Sequence, residues 1–198
     1  MNGPREADSA QPDFWSERYD SGRTPWQLDY VPKQLGAFIR ALPVGARVLI
    51  PGCGGDWRTI QAFREAGHNV TAIDFSPVAV DQAGKALGEF EIILGDFFTY
   101  DFGSRRFDIV YERTFLCSLP PRFWKNYVTR VAQLLQPKGM LVGFFWYGEE
   151  SDPPPYPLSE ASATKLFTGR FELIRTEAVP DSLPIFRGME KWQEWVRC

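Results

Sequence analysis

The chain has 198 residues, 44% of them hydrophobic, and a formal net charge of −3. It is long enough for one domain with a full core, and it lacks the excess of Lys and Arg that a nucleic-acid or anionic-membrane binder carries. A small-molecule partner is expected, with no nucleic acid and no membrane. Cysteines at 53, 117 and 198 show no C-x-x-C spacing, and a single histidine, His68, leaves no Cys/His zinc set, so neither a metal nor a disulfide frame is expected. The opening MNGPREADSAQP is too polar for a signal peptide or anchor, and no run of 18 apolar residues occurs. These features predict a cytoplasmic monomer with a flexible tail over 1–12 and one domain over 13–198.

The first patterned stretch, FWSERYDSGRTPW (14–26), is aromatic where a leader is normally polar. Trp15, Tyr19 and Trp26 suit either a hydrophobic lid on the helix that follows or a face for a cationic ligand, whose carboxylate the indole N–H groups can meet. Residues 14–30 are read as an arm that orders over a ligand and excludes water. Helical spacing then runs through VPKQLGAFIRAL (31–42), with Pro43 and Gly45 ending it. Beyond it, strand-like and helix-like segments alternate: ARVLIPG, WRTIQAFREAG, NVTAIDF, PVAVDQAGKALG, FEIILGD, FDIVYE, PRFWKNYVTRVAQLL and GMLVGFFWY. SEASATKLF is helical text, and FELIRTEAV with the segment from Pro184 to Val196 reads as an antiparallel hairpin at the sheet edge. The fold class is therefore α/β: a doubly wound, mostly parallel seven-stranded sheet with helices on both faces. In such a sheet a ligand lies outside the carboxyl ends of the strands. That directs attention to Gly52–Asp56, Asp74–Ser76, Gly95–Phe98, Glu112–Cys117 and Trp146–Tyr156.

The stretch from Val48 to Asp74, VLIPGCGGDWRTIQAFREAGHNVTAID, has the form of a βαβ unit that closes on an acid. There backbone amides meet a ligand, and the acid takes a ribose diol. By themselves Gly52, Gly54 and Gly55 are also what a tight strand-to-helix turn needs; the acid twenty residues beyond Gly54 favours a nucleoside site. The third glycine of a dinucleotide fingerprint is replaced by Trp57, which disfavours a pyrophosphate, and no Lys follows the turn as a P-loop requires. Gly52-Cys53-Gly54-Gly55-Asp56 instead resembles the G-x-G loop of class I methyltransferases, which bind S-adenosylmethionine and release S-adenosylhomocysteine. After the third strand, Asp96 can accept the exocyclic amine of adenine and Phe97 can wall the purine. Cys117, in FLCSL, has no base within reach and reads as a packing residue. His68, in AGHN, reads as a solvated turn residue.

Taken together, F-W-x-x-R-Y-x-x-G-x-T-P-W, the loop VLIPGCG, the segment GDFF, the string FDIVYERTFLCSLPP and the PPPY loop resemble the thiopurine S-methyltransferase family, which includes plant halide and thiol methyltransferases. The resemblance runs from Phe14 to the C-terminus. It implies a class I methyltransferase fold, S-adenosylmethionine as methyl donor, and a thiol or comparably soft acceptor: a thiopurine, a thiol, a halide, or a selenium or tellurium species. It also implies Trp15, Tyr19 and Trp26 on the donor's methionine side, Gly52 and Gly54 at the glycine loop, Asp74 on ribose, and Asp96 and Phe97 beside adenine. Arg113 falls near the donor, Trp146 in a pocket position, and Arg187 where the animal enzymes have an arginine facing substrate. Gly55-Asp56-Trp57-Arg58 departs from the family's usual continuation of the loop.

Methyl transfer from a sulfonium to a thiolate dissipates charge, so a closed, dry pocket favours it and alignment of the reacting atoms matters most. An alkyl thiol, with a pKa of about 8.5, is only slightly ionised at neutral pH, and a guanidinium raises that fraction. Arg113 and Arg187 are the candidates for that work, and Trp146, Tyr147 and Tyr156 for the acceptor pocket. The alternatives are an O- or N-methyltransferase, for which Glu112 is the one acid placed to act as base, and a binding module without turnover.

Overall fold

The computed structural model describes residues 8–88, 90–149 and 153–198. Its seven strands are β1 (Arg47–Pro51), β2 (Asn69–Asp74), β3 (Ile93–Leu94), β4 (Phe107–Arg113), β5 (Leu135–Trp146), β6 (Phe171–Ala178) and β7 (Glu190–Arg197), in the order β3-β2-β1-β4-β5-β7-β6. The first five run parallel, and β7 runs antiparallel between β5 and β6, which puts the C-terminal hairpin at the sheet edge as the sequence predicts. The helices are α1 (Pro12–Asp20), α2 (Lys33–Ala41), α3 (Trp57–Glu65), α4 (Pro77–Leu87), α5 (Phe115–Ser118), α6 (Trp124–Leu134) and α7 (Glu160–Phe167).

Alternation along the strands builds a core on each face. Leu49, Ile73, Val110 and Leu141 pack under Tyr127, Val128 and Val131 of α6 and Phe167 of α7. Their neighbours Val48, Ile50, Ala72, Ile109 and Val142 point the other way, onto Leu35, Phe38 and Ile39 of α2 and Ile60 and Phe63 of α3. Those three residues of α2 sit at i, i+3 and i+4, which is why the helix was legible. The strand order turns back between β1 and β4, so the chain leaves these two strands toward opposite faces and opens a crevice at their carboxyl ends. Among the described residues no helix is long and apolar enough to cross a membrane.

In the fold, helix α1 and the setting of His68 differ from the sequence reading. Helix α1 precedes the first helix read from periodicity. Pro12 at its start, Asp13 in its first turn and Arg18 in its last favour it, but only Phe14 and Tyr19 are buried on it, five apart, so a period of 3.6 scarcely registers. Residues 1–7 of the expected tail lie outside the described residues, whereas Asp8 is placed by an ion pair with Arg122 at 3.2 Å. His68 is not solvated: it is 6% exposed, edge-on to Phe63 at 6.1 Å, and neither ring nitrogen has a hydrogen-bond partner. Gly67, at φ +83°, turns the chain so that the His68 N–H reaches the Phe63 carbonyl at 3.1 Å and the ring folds under α3.

Candidate active site

Beyond the ends of β1 to β4 lies a cleft of about 330 Å³, covered by α1 and the residues before it. Its volume falls within the usual range for small-molecule sites, about 300–1,000 Å³. Gly52 and Gly54 leave β1 at φ +58° and +54°. A Cβ on Gly52 would overlap the ring of Phe115, and one on Gly54 the hydroxyl of Tyr19, so both positions need glycine for conformation and for close approach. Asp56 ends the loop by capping α3, its Oδ1 accepting the Thr59 N–H at 3.2 Å.

Asp74, the last residue of β2, is 8% exposed and faces the cleft. Its Oδ2 accepts the Gly54 N–H and its Oδ1 the Ser76 N–H, each at 2.8 Å, which ties the glycine loop to the start of α4. Burial pushes its pKa up to about 6, against the lowering effect of those bonds. Each oxygen keeps lone-pair capacity for a further donor. Asp96 lies after β3, its Oδ1 accepting the Phe98 N–H at 2.8 Å, beside a buried Phe97 that packs edge-on to Phe115 at 5.6 Å.

Helix α1 roofs this row. The Ser16 and Ser76 hydroxyls meet at 2.9 Å, and the Gln82 amide donates to the Tyr19 carbonyl at 3.1 Å. Trp26 stands edge-on to Trp15 at 5.5 Å and to Tyr19 at 6.1 Å, and its indole N–H donates to the Tyr19 hydroxyl at 3.3 Å. Burial raises the Tyr19 phenol pKa, which keeps the hydroxyl neutral.

The far end of the cleft is built by the turn after β4. Thr114 takes φ +61°, a costly conformation for a β-branched residue, and sends the chain into α5 so that Phe115, Cys117 and Ser118 face the cleft. Glu112 holds that turn from below: it is 1% exposed, accepts the Leu116 N–H at 2.9 Å and the Tyr127 hydroxyl at 2.5 Å, and burial pushes its pKa up to about 7. Burial likewise raises the pKa of the Cys117 thiol, which donates to the Thr114 carbonyl at 3.3 Å.

Trp15, Tyr19, Trp26, Gly52, Asp74, Asp96 and Phe97 thus come together on the wall of one cleft, with Gly54 directly beneath Tyr19. Arg113 is elsewhere, in a small cavity behind Tyr19 and Trp26 that Asp56 and Tyr111 also line. Its guanidinium meets Glu190 at 3.1 Å, with 8% and 2% of the two side chains exposed, and lies over Phe144 at 4.9 Å. Arg187 is exposed in a left-handed turn, φ +53°, that carries it away from the cleft wall. Trp146 is buried with its indole N–H on the Phe186 carbonyl at 3.2 Å, and Tyr147 donates to Gln193 at 3.0 Å. The Tyr156 N–H donates to the Cys117 carbonyl at 2.6 Å, and none of these three side chains reaches the cleft. Sequence reasoning missed Ser9 to Gln11, Arg122, Phe123, Ile185 and Phe186 on the wall, and Glu190 behind it.

The family model described as Thiopurine S-methyltransferase (TPMT) matches residues 10–196. A protein named probable thiol methyltransferase 2 from Arabidopsis thaliana is 30% identical, the match covering 91% of this chain and 83% of that protein. Thiopurine S-methyltransferase of Xanthomonas campestris pv. campestris is 31% identical, over 88% of this chain and 91% of its own. Among solved structures, the 1,6-didemethyltoxoflavin-N1-methyltransferase of Burkholderia thailandensis, with S-adenosylhomocysteine bound, superposes with a TM-score of 0.75 at 23% identity, covering 100% of this chain and 91% of that one. Magnesium protoporphyrin IX methyltransferase of Synechocystis PCC 6803 gives 0.74 at 18% identity, covering 100% of both chains. The structural likenesses establish the fold; the family match over nearly all of the sequence establishes that the chain belongs to the thiopurine S-methyltransferase family.

Proposed function

We propose that this chain is an S-adenosylmethionine-dependent methyltransferase acting on a small thiol or comparably soft nucleophile. The observation that carries the proposal is the buried carboxylate of Asp74, anchored by one backbone N–H on each oxygen and still open to the two hydroxyl donors of a ribose. The names of the relatives, thiol methyltransferase, thiocyanate methyltransferase and thiopurine S-methyltransferase, support a soft acceptor. When bound, S-adenosylmethionine supplies an electrophilic methyl group on a sulfonium.

The remaining work falls to the chain. Asp74 would hold the ribose, Asp96 accept the adenine amine and Phe97 wall the base, while Gly52 and Gly54 let the donor lie close to the backbone. Trp15, Tyr19 and Trp26 would cover the methionine end, with Arg113 behind them, and exclude water from a reaction in which charge disappears. The acceptor would approach from the end near Cys117 and Phe186. Among the described residues no free base stands there: both Glu112 oxygens are engaged, and the buried Cys117 thiol holds its proton. An acceptor that ionises by itself is therefore favoured over an alcohol or amine.

Thiophenol, phenol and aniline, offered singly with methyl-labelled donor, test this reading. Label is expected on sulfur, and faster labelling of phenol or aniline would support the oxygen or nitrogen alternative. A second expectation concerns pH. Donor hydroxyls favour ionised Asp74, whose pKa in the free protein is about 6, so donor affinity is fully present above that value and is lost as pH falls through it. The loss approaches about tenfold per pH unit. Calorimetry from pH 5 to pH 8 checks it, and a flat profile would show that the carboxylate's charge is not used.

A further inference from the structure

Cys117, Trp146 and Phe186 form an apolar cluster separate from the two that fill the faces of the sheet, with Trp26, Leu183 and Ile185 packed against it. Cys117, Trp26, Ile185 and Phe186 also line the cleft, so at this end the wall is formed partly by the connection between β6 and β7. That connection is pinned from several directions. The Ser182 hydroxyl donates to Glu190 at 2.6 Å, and Glu190 is held in turn by Arg113. The Phe186 carbonyl accepts from the Trp146 indole at 3.2 Å and from the Met189 N–H at 2.9 Å, and Tyr30 donates to the Asp181 carbonyl at 3.0 Å. Phe186 is 2% exposed and packs on Trp146 with ring centroids 6.3 Å apart. The backbone of Gly148 lies so close to the Trp146 indole that a Cβ there would overlap the ring, so this backbone also confines Trp146.

A loop fixed in this way cannot swing aside at low cost to admit a larger ligand. A cleft of about 330 Å³ that must also hold the donor leaves little room beside it. Behind this end, Arg113 and Glu190 face each other outside the cleft wall, and both Glu112 oxygens are taken up by Leu116 and Tyr127. The acceptor end is therefore small, stiff and apolar.

We infer that Ile185 and Phe186 set the size limit of the methyl acceptor, and that Trp146 is a positioning residue that holds Phe186 in place. The inference rests on the methyltransferase reading above and narrows its acceptor to a compact, apolar-bodied soft nucleophile. Thiophenol and naphthalenethiol share their reacting group and differ by one fused ring, so their comparison isolates size. For wild type, Phe186→Ala, Phe186→Leu, Ile185→Ala and Trp146→Phe, the ratio of kcat/KM values is measured, together with the ratio of Kd values in the presence of S-adenosylhomocysteine.

Wild type is expected to prefer thiophenol. Phe186→Ala should shift both ratios toward naphthalenethiol by about tenfold or more, the scale on which hydrophobic pockets discriminate size. Phe186→Leu and Ile185→Ala should shift them less. Trp146→Phe, which keeps an aromatic ring but loses the indole N–H, should shift them in the same direction with S-adenosylmethionine affinity unchanged. Should Phe186→Ala fail to fold, Phe186→Leu decides. Turnover of neither thiol by wild type would count against the reaction, and the Kd ratios would still decide the size limit. Unchanged ratios in the folded variants, or binding of neither thiol, would overturn the inference.

Discussion

Arg113→Met is expected to destabilise the fold by about 3–5 kcal/mol, because removing one member of a buried ion pair leaves the other charge without a partner in low dielectric. Glu190, 2% exposed at its side chain, would keep the Ser182 hydroxyl as its one side-chain partner among the described residues. For a chain of this length the loss corresponds to a fall in Tm on the order of 10 °C. Adding Glu190→Gln to Arg113→Met removes the stranded charge and should recover part of it. Arg187→Met, at an exposed turn, should leave Tm unchanged. Thermal unfolding monitored by circular dichroism separates the cases. An Arg113→Met protein as stable as wild type would mean that the pair contributes nothing and that the guanidinium is free for another task.

Asp74→Asn is expected to fold and to bind S-adenosylmethionine more weakly by about 1–3 kcal/mol, the usual cost of losing an acceptor of buried hydrogen bonds. Asparagine keeps one side-chain oxygen for either the Gly54 or the Ser76 N–H, which bond separate oxygens of the carboxylate in wild type. Its amide presents hydrogens where a ribose hydroxyl needs an acceptor. The pH dependence below about 6 should vanish in the same variant, since the titrating group is gone. Calorimetry on both proteins at two pH values measures the two effects together. Equal affinities would remove Asp74 from the donor site.

The contrast between Asp74 and Trp146 shows what a sequence of this kind discloses. Asp74 was legible because a strand, a glycine turn, a helix and a second strand fix its place relative to Gly54, and that unit is local in the chain. The sheet was legible for the same reason: its period-2 and period-3.6 segments alternate, and alternation of that sort has few topological solutions. Trp146 ends β5, and the sequence places it at the ligand end of the sheet. Whether its ring enters the cleft depends on Phe186, forty residues later, whose carbonyl takes the indole N–H and whose own ring covers that part of the wall. Arg113 was likewise found at the end of β4, but its partner Glu190 arrives from β7, so its engagement could not be seen locally. Arg187 follows the 3-10 segment Pro184–Phe186 and is itself left-handed, with an exposed side chain, a local turn that the strand and helix periods do not announce. Helix α1 shows a further limit, because its start and stop signals are present while its buried positions are too few for periodicity to register.

The most direct measurement is a crystal structure of the protein with S-adenosylhomocysteine and thiophenol bound together. The account predicts the two ribose hydroxyls on the Asp74 carboxylate, adenine beside Asp96 and Phe97, the homocysteine end beneath Trp15, Tyr19 and Trp26, and the thiophenol ring against Cys117 and Phe186. A nucleoside outside this cleft, or a ribose turned away from Asp74, would contradict it.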